Sequence, residues 1–366
     1  MKVLKKRYKS VDLGLLLIFI VLVGFGLIVV TSAAYPLGIK YYDDGFYYGK
    51  RQLMFCILGF IFSYIASRFP RNIIKKISPY LFVISILLIL ALWTPMGDDT
   101  YGSTRWLKIP GINLRFQPSD ILKITSILFL AKILEINRKN MENKETFVVI
   151  VGIIGLSVVP IMLKDLSTGV VIGFSLFAMY MAGGIKSYQF VTLLGISVLG
   201  MIPMTMKFLY RMRRIFGFLN PDIASLDENY QITQSLYAIA MGGIGGVGFF
   251  HSRQKYSNIP QAHNDFIFPV ICEEFGLIGG IFVVMMFFLF VYRGYVIAIK
   301  SKNYYDKYVT IGITSYIGIQ AIFNLGVGCG LFPVTGITLP FISYGGTSLL
   351  VTMVAVGLLL GISRDV

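Results

Sequence analysis

The chain has 366 residues, 56% of them hydrophobic and 14% charged, with a mean hydropathy of +0.74. Soluble domains carry about 25% charged residues, so composition excludes a soluble globular protein and places the chain in a membrane. Three cysteines in apolar runs (Cys56, Cys272, Cys329) and two histidines (His251, His263) argue against a disulfide framework, a zinc cluster or a haem site, and the net charge of +15 points to cytoplasmic loops rather than to nucleic acid.

In chain order, apolar stretches approaching the roughly 20 residues that cross a hydrocarbon core lie near 13–33, 52–68, 79–94, 121–137, 147–163, 168–184, 189–209, 266–292, 308–331 and 346–362. The expected fold is therefore all-α: a polytopic integral membrane protein of about ten transmembrane helices, one membrane domain over 1–366, with a large extracytoplasmic loop over 210–265. The basic start MKVLKKRYKS and the small residues Thr31-Ser32-Ala33-Ala34 are signal-peptide features. The first apolar run is too long for one and more spans follow, so it reads as an uncleaved helix. With the N-terminus inside, the inner loops hold eighteen basic residues and the short outer loops seven, which places both termini in the cytoplasm.

The outer loop opens with Tyr210-Arg211-Met212-Arg213-Arg214, carries the glycine run Gly242, Gly243, Gly245, Gly246 and Gly248, and returns through Ser252-Arg253-Gln254-Lys255 to His263-Asn264-Asp265. Segment 231–241 has the periodicity of a helix at the interface. Each cation alone reads as a solvated or headgroup-contacting residue. As a group beside a glycine-rich turn, they suit a phosphate-bearing amphiphile. Asp265 precedes the span that starts Phe266-Ile267-Phe268. It is either an N-cap or a general base at an interfacial pocket. Glu273 and Glu274 lie deeper and must face protein or water; Glu273 is expected to pair with a buried cation, Lys123 or Lys132. Asp120 and Lys123, three apart on a helix, also read as an ordinary intrahelical pair, and Arg105-Trp106 as an interfacial anchor. No Walker motif and no paired inner half-helices announce a pump.

Several motifs then recur together: Arg105-Trp106 with FQPSD at 116–120, KDLSTG at 164–169, YQITQSLYAIAMGG at 230–243, HNDFIF at 263–268 followed by EEFGLIGG, Asn324-Leu325-Gly326, and LFPVTGITLPFISYGGTSLL at 331–350. In order and spacing they resemble the SEDS family (shape, elongation, division and sporulation; the RodA, FtsW and SpoVE group), and QSLYAIAMGG, SRQK and PVTGITLPFISYGG are more similar to the FtsW and SpoVE branch.

The resemblance implies an inverting peptidoglycan glycosyltransferase of the bacterial plasma membrane. It would polymerise lipid II on the outer face, with undecaprenyl pyrophosphate leaving, in division, elongation or sporulation. Asp265 matches the family's proposed catalytic aspartate. Gln117, Ser119, Asp120 and Lys123 match its FQPSE region, and Arg105, Trp106, Gln234 and Ser235 join them as substrate-side residues. Arg211, Arg214, Arg253 and Lys255 would hold the pyrophosphate. The implied partners are lipid II, the growing glycan chain and a single-pass class B penicillin-binding protein acting as transpeptidase. No cofactor is demanded; a divalent ion, Mg or Mn, would suit the pyrophosphate, but no dedicated cluster for one is evident. The sequence departs from the family at Asn264, Ser167, Gln261, Asp120 and in NPDIASLDEN at 220–229, which points to altered substrate-loop geometry and a specialised paralogue. Two other readings use the same features: a lipid II flippase with Glu273, Lys123 and Asp165 along its path, and a scaffold for a partner synthase with Asp265 as a cap.

Overall fold

The computed structural model describes residues 10–98, 104–108, 115–206, 208–219, 226–257 and 261–366. Lys207, Pro260 and the 220–225 part of NPDIASLDEN lie outside them.

The chain opens with α1 (Leu13–Ala33), α2 (Tyr35–Tyr42), α3 (Tyr47–Arg68) and α4 (Arg71–Leu90). Asp12 caps α1, its Oδ1 accepting from Leu15 N at 2.7 Å. Three short strands follow, β1 (Gly97–Asp98), β2 (Trp106–Lys108) and β3 (Arg115–Phe116), then α5 (Pro118–Ile136), α6 (Lys144–Lys164), α7 (Leu166–Ala182) and α8 (Ser187–Met206). The large loop holds α9 (Leu209–Leu219), α10 (Leu226–Gly242) and α11 (Gln254–Ser257). The chain ends with α12 (Ile267–Lys300), α13 (Tyr304–Gly328) and α14 (Gly346–Ser363).

Seven described helices, α1, α4, α6, α8, α12, α13 and α14, are long and apolar enough to cross a membrane. Helices α3 and α5 carry charged residues and α7 has 17 residues, and all three pack within the same bundle, giving the ten spans of a multi-pass membrane protein. α13 is the central helix, enclosed by α12, α7 and α5, whereas α8 is largely exposed. Where α14 crosses α3, Gly357 and Gly361 meet the backbone of Ser63 and Ser67, and a Cβ at either glycine would overlap it. Small residues allow this approach in a bilayer, where helices have no hydrophobic drive to associate.

Two features differ from the sequence expectation. The loop before α5, expected on the outer side, holds a small antiparallel sheet, with Asp98 opposite Trp106 and Lys108 opposite Arg115. Lys108 and Arg115 both pair with Asp98, a long-range arrangement that residue periodicity does not reveal. Helix α12 runs to Lys300 rather than stopping near 292, and it is broken at Gly276, where φ is +67°. The glycine run explains the break. Gly246, also at positive φ, crosses the backbone at Gly276, and neither could carry a Cβ. Across this crossing Val247 N and Gly248 N donate to the carbonyls of Glu273 and Glu274, and Leu277 N donates to Gly243 O. The glycines therefore serve a backbone joint with α12, and these amides are already engaged rather than open to a ligand.

Candidate active site

Asp265 sits one residue outside the α12 N-cap. The N-cap is Phe266, and no side chain caps the helix. The last turns of α13 and the loop after it fix the stretch of backbone that carries Asp265. Tyr344 N donates to His263 O at 2.9 Å, Ser343 Oγ to Asn264 O at 2.6 Å, and Asn324 Nδ2 to Asp265 O at 2.8 Å. Three consecutive carbonyls are thus clamped, and Asn324 Nδ2 also donates to Ile337 O at 2.7 Å. Asn264 Nδ2 donates to Gln261 Oε1 at 2.7 Å, so two residues that depart from the family pattern bond to each other.

Two arginines approach the Asp265 carboxyl. A Cβ placed on Gly336 would lie 3.2 Å from Arg105 Nη1 and 3.5 Å from Asp265 Oδ2, which sets both groups around one glycine at φ +70°. Arg105 Nε also lies 3.5 Å from Asp165 Oδ2. Asp165 in turn caps α7, accepting from Thr168 Oγ1 at 2.9 Å and Thr168 N at 3.3 Å. Arg214 on α9 donates from Nη1 to Val334 O at 3.2 Å, which holds it against the same loop. Burial pushes the half-buried Asp265 carboxyl up to about 6, the neighbouring Asp165 adds to this, and Arg105 and Arg214 oppose it. Burial also lowers His263 to about 4, so its imidazole is neutral at pH 7; its ring lies 5.3 Å from that of Tyr48.

The structure thus gathers Arg105, Asp165, Arg214 and Asp265 at one site. Trp106 follows Arg105 in β2, and Gln117 stands half-buried at the α5 N-cap without a side-chain cap bond. A second cluster lies on the buried face of α5. Lys123 Nζ donates to Asp120 Oδ1 at 2.9 Å beneath the Tyr316 ring, while Ser119 Oγ and Asp120 Oδ2 make no hydrogen bond among the described residues. The intrahelical reading of that pair therefore holds, and Glu273 is not the partner of Lys123. Glu273 instead accepts from Ser252 Oγ and from the backbone of Arg253 and Gln254.

The remaining loop cations differ sharply in their surroundings. Arg211 is buried, donating to Met204 O at 2.9 Å and Leu163 O at 3.1 Å. Lys255 is buried too, and its ammonium donates to Ser32 Oγ at 2.8 Å, Phe250 O at 2.9 Å and Glu274 Oε1 at 2.7 Å. All three of its protons are used. Arg253 is exposed. On α10, Ser235 Oγ donates to Gly328 O and fastens that helix to the end of α13, whereas Gln234 is half-buried. Among the described residues no three His, Cys, Asp or Glu side chains converge as a metal site. Asn324, Ser343 and Gly336 escaped assignment from sequence; they lie in motifs that were visible, but their roles depend on contacts to residues 59 to 79 positions or more away.

Comparison with known proteins adds to this geometry. The family model described as "Cell cycle protein" (FTSW_RODA_SPOVE) matches residues 13–366. The chain is similar to Stage V sporulation protein E of Bacillus subtilis, 39% identical over 360 residues and 97% of each chain. It is also similar to the probable peptidoglycan glycosyltransferase FtsW of Geobacter metallireducens, 36% identical over 98% of this chain and 96% of that one. A solved chain from "Structural coordination of polymerization and crosslinking by a peptidoglycan synthase complex" superposes with a TM-score of 0.80 at 25% identity, covering 97% of this chain and 98% of that one. RodA of Thermus thermophilus shares the fold, with a TM-score of 0.71 at 24% identity over 97% of both chains.

Proposed function

Because the chain belongs to the FtsW/RodA/SpoVE family, we propose that it is a peptidoglycan glycosyltransferase that polymerises lipid II at the outer face of the membrane. The observation that carries this reading is the convergence of one half-buried, weakly acidic carboxyl with two guanidinium groups beside the 334–336 loop.

The reaction joins a sugar hydroxyl to an anomeric carbon whose leaving group is a lipid pyrophosphate. Asp265 accepts the proton of the GlcNAc hydroxyl as its oxygen attacks the anomeric carbon of the growing chain. The bond from that carbon to the pyrophosphate oxygen breaks, and configuration inverts. A carboxyl raised to about 6 is ionised at pH 7 yet more basic than an ordinary carboxylate, which suits a general base. Arg105 and Arg214 stabilise the charge that develops on the departing pyrophosphate. Arg253, exposed on the loop, meets the phosphates as they arrive or leave. Arg211 and Lys255 take structural parts, since carbonyls and a carboxylate already occupy them. Trp106, Gln117 and Gln234, all half-buried, face the sugar or peptide portion, while Ser119 and the buried Asp120–Lys123 pair support them from inside the bundle.

Both termini are cytoplasmic on the balance of basic residues, and a class B penicillin-binding protein is the transpeptidase partner, a role supported by the likeness to a peptidoglycan synthase complex. The decisive experiment incubates the purified protein with lipid II and separates the products by size. A ladder of glycan strands is expected. Transbilayer movement of lipid II without polymer would favour the flippase reading, and neither product would favour the scaffold.

A further inference from the structure

We propose that Lys255 and Glu274 are positioning residues. Their buried ion pair closes the stretch of chain carrying Asp265 and sets the pose of the outer half of α12, residues 267–275. The inference rests on the reading of Asp265 as the base.

Four observations lead there. The side chains of Lys255 and Glu274 are both 0% exposed and their charges meet at 2.7 Å. Lys255 lies before Asp265 in the chain and Glu274 after it, so the pair ties together the two ends of one loop. The tie extends to a third element, because Ser32 at the outer end of α1 donates to Glu274 Oε1 at 2.6 Å and accepts from Lys255. Finally, the half-helix that begins two residues after Asp265 is separated from the rest of α12 by the break at Gly276. A nine-residue half-helix beyond a break takes its direction from what grips it. Here the grip is Glu273 on the backbone at Arg253 and Gln254, and Glu274 on Lys255.

Stability alone does not call for this arrangement. Apolar side chains of similar volume often replace a buried ion pair without loss. An ion pair with three directed hydrogen bonds on the ammonium does what apolar packing does not: it admits a single register between loop and half-helix. On this view Lys255 acts on the reaction through the placement of Asp265 and touches no phosphate.

The test uses the full-length protein in detergent or nanodiscs. Lys255→Met alone strands a buried carboxylate and is expected to lower the melting temperature. Lys255→Met with Glu274→Leu removes both charges and is expected to melt within a few degrees of the wild type. In this double variant the polymerisation kcat should fall tenfold or more while the KM for lipid II stays within about twofold. Amide exchange across 261–268 should quicken, with that of α13 unchanged. A double variant with wild-type kcat, or with wild-type exchange across 261–268, would overturn the proposal. A raised KM at unchanged kcat would also overturn it, since that is the signature of a lost ground-state contact to lipid II. If the wild type makes no polymer, the function reading fails and the exchange measurement alone decides this one.

Discussion

Replacing Asp265 by Asn separates chemistry from architecture in a single atom exchange. No helix cap is lost, because Phe266 holds that position without a side-chain bond, and the bonds that fix this stretch run to backbone carbonyls. The base, however, disappears, and the rate of polymer formation should drop roughly a hundredfold or more. Stability should move the opposite way. The carboxyl rises from 3.8 to about 6 in the folded protein. A folded pKa above the unfolded one means that the native state binds more protons between about pH 4 and 6, so stability is lost as pH rises through that window. At pH 7.5 the ionised carboxylate therefore costs the fold at most about 3 kcal/mol, reduced by the water that reaches a half-buried group. Asn carries no such cost. The variant should melt a few degrees above the wild type at pH 7.5 and level with it at pH 4, as followed by tryptophan fluorescence or calorimetry in detergent. Wild-type activity should climb with pH through about 6 and then level off. A folded Asp265→Asn variant that polymerises lipid II at the wild-type rate would refute the catalytic assignment. A melting difference that persisted at pH 4 would refute the account of the carboxyl's environment.

Three further outcomes are expected. Cysteines placed singly at Tyr237, Ile244 and Tyr256, all exposed in the large loop, should react with an impermeant label in intact cells, and protection of all three would reverse the topology. Arg105→Gln and Arg214→Gln should each lower the polymerisation kcat by about tenfold or more, with Lys a poor substitute at either position; an unchanged kcat in both would leave the departing pyrophosphate unassigned. Gly336→Ala should cost about 1–2 kcal/mol for a side chain at φ +70° and set a methyl group between Arg105 and Asp265, lowering polymerisation tenfold or more; an active Ala variant would show that the two groups need not approach around that glycine.

The spans were legible in the sequence because crossing a hydrocarbon core is a property of local composition. The stretch read as 13–33 is α1 to the residue. Asp265 stood out for the same kind of reason, as an acid at the edge of an apolar run inside a recurring motif. What local patterns could not supply was which buried polar groups meet. Glu273 and Glu274 were visibly expensive, yet their partners include backbone amides and a lysine 19 or 20 residues earlier in a loop, not the lysines of α5. The glycine run read as a turn opening toward a ligand, because its counterpart, Gly276, lies within an apolar span and looks like any helix glycine until the two backbones cross. The sheet around Asp98 escaped for a related reason: strands of two or three residues have too little alternation to show a period.

The break at Gly276 also bears on depth. Helix α12 has 34 residues and, if continuous, would be about 51 Å long, well beyond a hydrocarbon core of about 30 Å. Counting back from Arg293, the cation that approaches Asp12 at 3.7 Å, the helix runs seventeen residues or about 26 Å to the break at Gly276. That is most of a hydrocarbon core of about 30 Å, so the break, with Glu273 and Glu274 just beyond it, falls toward the far end of the span from Arg293 rather than at its middle. A carboxylate there is cheaper to keep than one at half depth. A bilayer several ångströms thicker would draw these carboxylates deeper into hydrocarbon, so polymerisation by reconstituted protein becomes a function of lipid chain length.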